Sequence, residues 1–240
     1  MKKASYFASQ VFLYLVFSTI FIGMCIALVI VPLSKSKNTY AKSIDTSPIV
    51  IIDAGHGGED GGTVGVNGCF EKDINLSIAK KLKTYLTSMG VRCALTRNSD
   101  TLLYDRSADY EGRKKHLDML ARLDITNSYE NAVFVSIHQN AFPQEKYSGL
   151  QIYYSENNES SLPLAKSIED AVKKILQPQN NRVAKPAGDS IYLLDKLDCP
   201  ALLIECGFLS NAAECELLCT DEYQNKLCAV IATRIATYIE

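Results

Sequence analysis

Three apolar runs in the chain each end on a residue able to hold or use a metal ion. They are Ile49-Val-Ile-Ile-Asp-Ala-Gly-His, closing at His56; Val133-Phe-Val-Ser-Ile-His, closing at His138; and Ala201-Leu-Leu-Ile-Glu, closing at Glu205. The 240 residues include only three histidines, and two of them stand where packing alone asks for no imidazole. In an open parallel sheet the carboxyl ends of the strands share one edge, and ligands bind in the crevice there. Two histidines and a carboxylate converging on that edge suit a catalytic zinc, one Zn2+ per chain, which takes three protein ligands and keeps a position for water.

The third ligand must be an acid, and spacing leaves several open. Glu59 completes His56-Gly-Gly-Glu59, the H-x-x-E spacing of zinc carboxypeptidases. Glu71 stands just before a long helical pattern, hence on the same edge, with Asp60 and Asp73 nearby. For Glu71 and Asp73 helix capping is the plainer explanation, because acids in a first turn complement the helix dipole. Glu205 suits a different role. A carboxylate at the end of a buried strand is costly unless paired, and beside a metal-activated water of pKa about 7 it would serve as general base. His116, in Arg113-Lys-Lys-His, reads as a solvated helix-face residue outside the site. The glycines after Asp53 do not make a dinucleotide loop: Gly55 and Gly57 fit that fingerprint, but its sixth place is Asp60.

The elements that must position these residues alternate. From Pro48 onward, strand-like runs at 49–53, 91–97, 132–137, 150–154, 191–194 and 201–204 are interleaved with helical patterns at 73–89, 117–127, 162–176 and 212–239. That alternation is the mark of an α/β fold, here a single domain with a twisted, mainly parallel sheet flanked by helices. Residues 98–112 and 139–149 read as the loops best placed to gate the edge.

The N-terminal part is of another kind. Residues 1–10 form a short tail, and no charged residue occurs from Ala4 to Ser34. The almost wholly apolar stretch 11–33 would reach roughly 35 Å as a helix, enough to cross a ~30 Å hydrocarbon core. Secretory signal peptides need an apolar region of only about 7–15 residues, so the expectation is an uncleaved transmembrane signal anchor, with cleavage near Thr39-Tyr40-Ala41 the lesser alternative. Residues 34–47 are a polar tether and 48–240 the catalytic domain. Lys2 and Lys3 before the span are balanced by Lys35, Lys37 and Lys42 after it. The expected placement is membrane-anchored, with the catalytic domain outside the cytoplasm, because a lone N-terminal anchor usually serves export. With a net charge of -2 and dispersed basic residues, nucleic acid is excluded as a partner.

Eight cysteines are present; Cys25 lies in the apolar span, leaving seven, an odd number, beyond it. No C-x-x-C spacing marks a structural zinc site. Cys215 and Cys219 share a helix face, which does not by itself make a metal site. Small buried hydrophobes are the favoured reading over a disulfide framework.

Four motifs together are specific. Asp53-Ala-Gly-His-Gly-Gly, Glu71 with Asn75-Leu76, Ser136-Ile-His-Gln-Asn-Ala, and Pro200 through Ile204-Glu-Cys-Gly-Phe-Leu-Ser-Asn211 make the chain resemble the zinc-dependent N-acetylmuramoyl-L-alanine amidases of bacterial cell walls (the amidase-3 group). Leu120-Ala-Arg122 with Asn127 is similar to that group's helix before the second histidine. The resemblance implies that His56, Glu71 and His138 are zinc ligands, that Glu205 is the catalytic acid/base, and that Asn140 touches substrate. It also implies the substrate: peptidoglycan, at the amide between N-acetylmuramic acid and the L-alanine of the stem peptide. Cys206 beside Glu205, where the group more often has an aliphatic residue, and Cys69 before Glu71 depart from the pattern without removing a required group. A lone catalytic domain behind an anchor, with the basic stretch at 113–115, most resembles the germination-specific amidases of spore formers, which implies a role in forming cortex muramic-δ-lactam. Members of the group commonly need an activator protein, so one is expected here. Two other readings stay open: a zinc carboxypeptidase using Glu59, and a non-catalytic wall-binding or regulatory protein of the same fold.

Overall fold

The run Ile49–Ala54 forms strand β1, buried at all six positions, as its unbroken apolar sequence requires of a strand covered on both faces. The computed structural model describes residues 14–22, 24, 47–105, 107 and 112–240, and the chain divides into two units, residues 1–45 and 46–240. In the first unit residues 14–22 are helical with exposed side chains. The rest of the expected 11–33 span, the tail 1–10 and the tether up to residue 46 lie outside the described residues. No helix among the described residues is long and apolar enough to cross a membrane.

In the second unit β1 is followed by α1 (Glu71–Ser88), β2 (Arg92–Leu95), α2 (Lys114–Asn127), β3 (Ala132–Asn140), β4 (Gln151–Tyr154), α3 (Ser161–Ile175), β5 (Lys185–Pro186), α4 (Tyr192–Lys196), β6 (Ala201–Phe208), α5 (Ala212–Leu218) and α6 (Asp221–Ile239). They build one six-stranded sheet in the order β2-β1-β3-β6-β4-β5. Neighbouring strands are parallel except β4, which runs antiparallel to β6. The expected single-domain, mainly parallel α/β architecture is what this unit adopts.

Alternation along β1 feeds two core layers. Val50, Ile52 and Ala54 pack with Ile78, Leu82, Ile168 and Ile231 of α1, α3 and α6. Ile49 and Ile51 face Phe134, Leu194 and Leu197 on the other side. Gly90, at φ 79°, follows the end of α1 in the left-handed conformation that glycine adopts at no steric cost.

Three local expectations are corrected. Neither His138 nor Glu205 ends its strand: β3 continues through Gln139 and Asn140, which were expected in a loop, and β6 continues to Phe208. Residues 191–194 are not a strand: Gly188–Ser190 form a 3-10 turn and Tyr192–Lys196 a helix, with the Asp195 amide donating to the Ile191 carbonyl at 3.0 Å. A four-residue apolar run carries no periodicity that separates strand from buried helix, and Leu194 is buried either way. The terminal pattern at 212–239 is two helices rather than one. Thr220 starts the second, its hydroxyl accepting from the Tyr223 amide at 3.3 Å.

Candidate metal centre and active site

The turn that leaves β1 is where the chain bends hardest. His56 has φ 61°, a left-handed conformation for a branched-ring residue, which costs on the order of 1–3 kcal/mol and persists only where surroundings impose it. Two buried arginines impose it. Arg122 donates to the Ala54 carbonyl and, through Nη2, to the His56 carbonyl, both at 2.8 Å. Arg97 donates to the Ala54 carbonyl at 2.8 Å and the Gly55 carbonyl at 3.0 Å. Arg122 is itself neutralised by Asp53 and, at 2.8 Å, by Asp118. Burial pushes the Asp53 carboxyl up, but Arg122 and the hydroxyls of Ser136 and Thr96 outweigh it and hold that acid below its ordinary range.

Glu71 opens α1 with its carboxylate almost wholly buried. Its Oε1 lies 3.0 Å from His138 Nδ1 and 3.3 Å from His56 Nε2. The same carboxylate accepts from the Gln139 amide at 3.1 Å, the Asn75 side chain at 3.3 Å and the Thr63 amide at 2.9 Å. Burial raises its pKa, yet the two histidines more than reverse that and keep it well below the carboxylate range. His56 Nδ1 is 2.9 Å from Asp60. A ring donating to Asp60 through Nδ1 turns its Nε2 lone pair toward Glu71, the arrangement in which a carboxylate fixes a ligating histidine. Burial lowers the His56 pKa, and Glu71 and Asp60 raise it by more. One donor atom each from His56, Glu71 and His138 lies within 4.8 Å of the others, a group that can hold a metal ion.

Glu205 on β6 is the register partner of His138 on β3. Its Oε2 is buried and accepts no hydrogen bond. Burial is the main cause that pushes this acid up to about 7, with nearby Glu71 adding and the two histidines opposing. A carboxyl poised there exchanges a proton at neutral pH. A polar cleft of about 410 Å³ takes in His56, Glu71, His138, Asn140 and Glu205. Beside it an apolar cleft of about 350 Å³ is lined by His56, Met119, Tyr192 and Leu203.

The other sequence candidates fall outside the cluster. Glu59 is two-thirds exposed and pairs with Lys114 at 2.6 Å. Asp60 supports His56 and reaches Lys115 at 2.8 Å. Asp73 stays in the first turn of α1, and His116 stacks edge-on against Tyr192 at 5.9 Å. Asn140 lines the polar cleft as expected. Sequence reasoning did not anticipate the support given by Arg97, Asp118 and Thr63. A buried arginine leaves no local signature, although the apolar neighbours Leu120, Ala121 and Leu123 hint that Arg122 is covered.

Comparison with known proteins identifies the family. The profile of the family described as N-acetylmuramoyl-L-alanine amidase matches residues 50–237. The chain is 36% identical over 190 residues to the germination-specific N-acetylmuramoyl-L-alanine amidase of Bacillus subtilis, covering 79% of each. Among solved structures it is similar to the CwlD amidase from Clostridioides difficile in complex with the GerS lipoprotein, at TM-score 0.74 and 41% identity over 80% of this chain and 98% of that one. It is also similar to the amidase AmiC2 of Nostoc punctiforme, at TM-score 0.65 and 31% identity over 80% and 96%. Family profile, sequence identity and shared fold all fall on the unit that carries the His56, Glu71 and His138 cluster, and the chain belongs to the N-acetylmuramoyl-L-alanine amidase family.

Proposed function

We propose that His56, Glu71 and His138 hold one Zn2+ and that Glu205 is the acid/base in hydrolysis of the amide between N-acetylmuramic acid and L-alanine in peptidoglycan. The observation that carries this reading is the approach of both histidines to a single oxygen of Glu71, at 3.3 and 3.0 Å. Tetrahedral donors about 2.0–2.1 Å from a zinc ion stand roughly 3.3–3.4 Å apart, close to both separations from Glu71, and one donor from each of the three residues lies within 4.8 Å of the others. Bound zinc supplies Lewis-acid polarisation of the carbonyl and a water acidic enough to ionise near neutrality. Glu205 accepts the proton of the attacking water and hands it to the departing L-alanine amine. Its unpaired Oε2 and its pKa of about 7 suit both halves of that transfer. Asp60, Arg97 and Arg122 hold His56 in place, and Asn140 meets the substrate at the cleft wall.

The carboxypeptidase alternative loses its ligand, because Glu59 is engaged with Lys114 away from the cluster. An intact ligand set and acid/base argue against a non-catalytic wall protein. We place the catalytic domain outside the cytoplasm behind the 11–33 anchor, where peptidoglycan is. Likeness to a germination-specific amidase and to a structure containing a lipoprotein supports a cortex role and an activator of lipoprotein type.

The test is the full-length chain in detergent, with zinc quantified, incubated with purified peptidoglycan and the products identified by mass spectrometry. Stem peptides beginning at L-alanine are expected, and about 10²–10⁴-fold fewer from Glu205→Gln in the same time. Release of single C-terminal residues would return the carboxypeptidase reading. A chain holding no metal and releasing nothing would return the non-catalytic one.

A further inference from the structure

Outside the active site, three thiols from distant parts of the chain meet. Cys69 closes a tight loop just before α1; Cys215 and Cys219 lie four residues apart on and at the end of α5. Cys69 Sγ is 3.7 Å from Cys215 Sγ, across 146 positions of sequence, and the sulfurs of all three lie within 4.8 Å of one another. Three sulfur ligands about 2.3 Å from a tetrahedral zinc ion would stand roughly 3.8 Å apart.

The surroundings are shaped for the sulfurs. The loop is pinned by the Gly65 amide to the Cys69 carbonyl and the Gly68 amide to the Gly65 carbonyl, both at 2.8 Å. A Cβ on Gly65 would stand 2.7 Å from the sulfurs of both Cys69 and Cys215, so only glycine lets the backbone come this close. Asn67 at the loop tip donates to Cys219 Sγ at 3.5 Å, and its carbonyl takes the Cys215 thiol at 3.2 Å and the Cys69 amide at 3.0 Å. Cys215 is buried, Cys69 half-buried and Cys219 exposed, which leaves one open side for entry and for a water ligand.

We infer that Cys69, Cys215 and Cys219 form a second metal site, taking a thiophilic ion of the Zn2+ type through three thiolates and one water, and that this ion staples the Gly65–Cys69 loop to α5. Binding releases the thiol protons to solvent and needs no oxidant. The loop runs directly into Glu71, whose amide donates to the Thr63 carbonyl at 2.9 Å, so the staple steadies the base of the active-site ligand without touching substrate. The inference is independent of zinc at the catalytic centre.

Cobalt is the probe, because thiolate-bound Co2+ has an intense sulfur-to-metal charge-transfer band that a His/Glu/His site lacks. The full-length chain, kept reduced with a phosphine, is loaded with Co2+ in the parent and in the His56→Ala/His138→Ala variant. The band is expected in both, to be displaced by Zn2+, and to vanish in Cys219→Ser and in Cys69→Ser. In the parent background Cys219→Ser should lower bound zinc from about two ions per chain to about one, and should reduce the metal-dependent rise in Tm. A band that persists in both serine variants, or is absent from the reduced parent, overturns the site. So does a Cys69–Cys215 disulfide mapped in protein isolated from cells with thiols trapped. Failure of the catalytic-zinc reading would look different: the band and one ion would remain, unaffected by the histidine substitutions.

Discussion

The imidazole of His138 lies directly against the backbone of Gly55: a Cβ built on Gly55 would stand 2.2 Å from His138 Nε2. His56, two residues beyond β1, and His138, within β3, come together only because the residue before His56 carries no side chain. The ring centroids of His56 and His138 are 4.9 Å apart.

Gly55→Ala should therefore push His138 off Glu71. Displaced support around ligating residues typically costs 10–100-fold in metal affinity, and a loss of about that size is expected by chelator competition. An unchanged affinity would show that His138 reaches the metal from another rotamer.

Glu71 and Glu59, two of the four candidates for third ligand, give opposite expectations. Glu71→Ala should empty the catalytic centre and abolish hydrolysis, because it removes the oxygen both histidines face. Glu59→Ala should leave metal content and turnover within about twofold, since Glu59 is two-thirds exposed, pairs with Lys114 and gives no donor atom to the cluster. Metal analysis of the two variants, with Cys219→Ser in the background to remove the thiol-bound ion, checks both.

Glu205→Gln keeps shape and removes the proton acceptor. Turnover should fall by about 10²–10⁴-fold, the usual contribution of a general base, while the catalytic metal is retained. Single-turnover kinetics with metal analysis separates this from a ligand defect. Loss of metal together with activity would make Glu205 a structural residue of the centre.

Acid should weaken the Asp53–Arg122 pair. Asp53 has a folded pKa below its ordinary 3.8. Such a carboxylate contributes stability that is fully present above the unfolded value and is lost as pH falls through the folded one. Asp53→Asn leaves the buried Arg122 with Asp118 alone and should cost about 3 kcal/mol at pH 7. The gap between parent and variant should narrow below about pH 3.8 as the parent loses the same charge. Urea unfolding at neutral and acid pH measures it; a gap constant with pH would mean the loss comes from packing.

Much of this was legible in the chain. His56, His138 and Glu205 stand out in the chain because each closes an apolar run, although β3 and β6 continue past His138 and Glu205. Parallel pairing sets Asp53 beside Ser136 and His138 beside Glu205. The helix boundaries of α1 and α3 followed from their apolar spacing. The strand expected at 191–194 failed because so short an apolar run suits either conformation.

What the sequence by itself determined is the local pattern: an alternating α/β chain, three residues capable of metal chemistry at the close of apolar runs, and motifs of the amidase group. Spacing left Glu59, Glu71, Asp60 and Asp73 all open as the third ligand, and only the family likeness chose among them. The tertiary structure decided which oxygen both histidines face, how Arg97 and Arg122 hold His56 in a left-handed turn, and that Cys69 meets Cys215 and Cys219. Hydrophobic periodicity reports which face of an element is covered. It cannot report which side chains 67 or 146 positions apart will touch, because that depends on how whole elements pack.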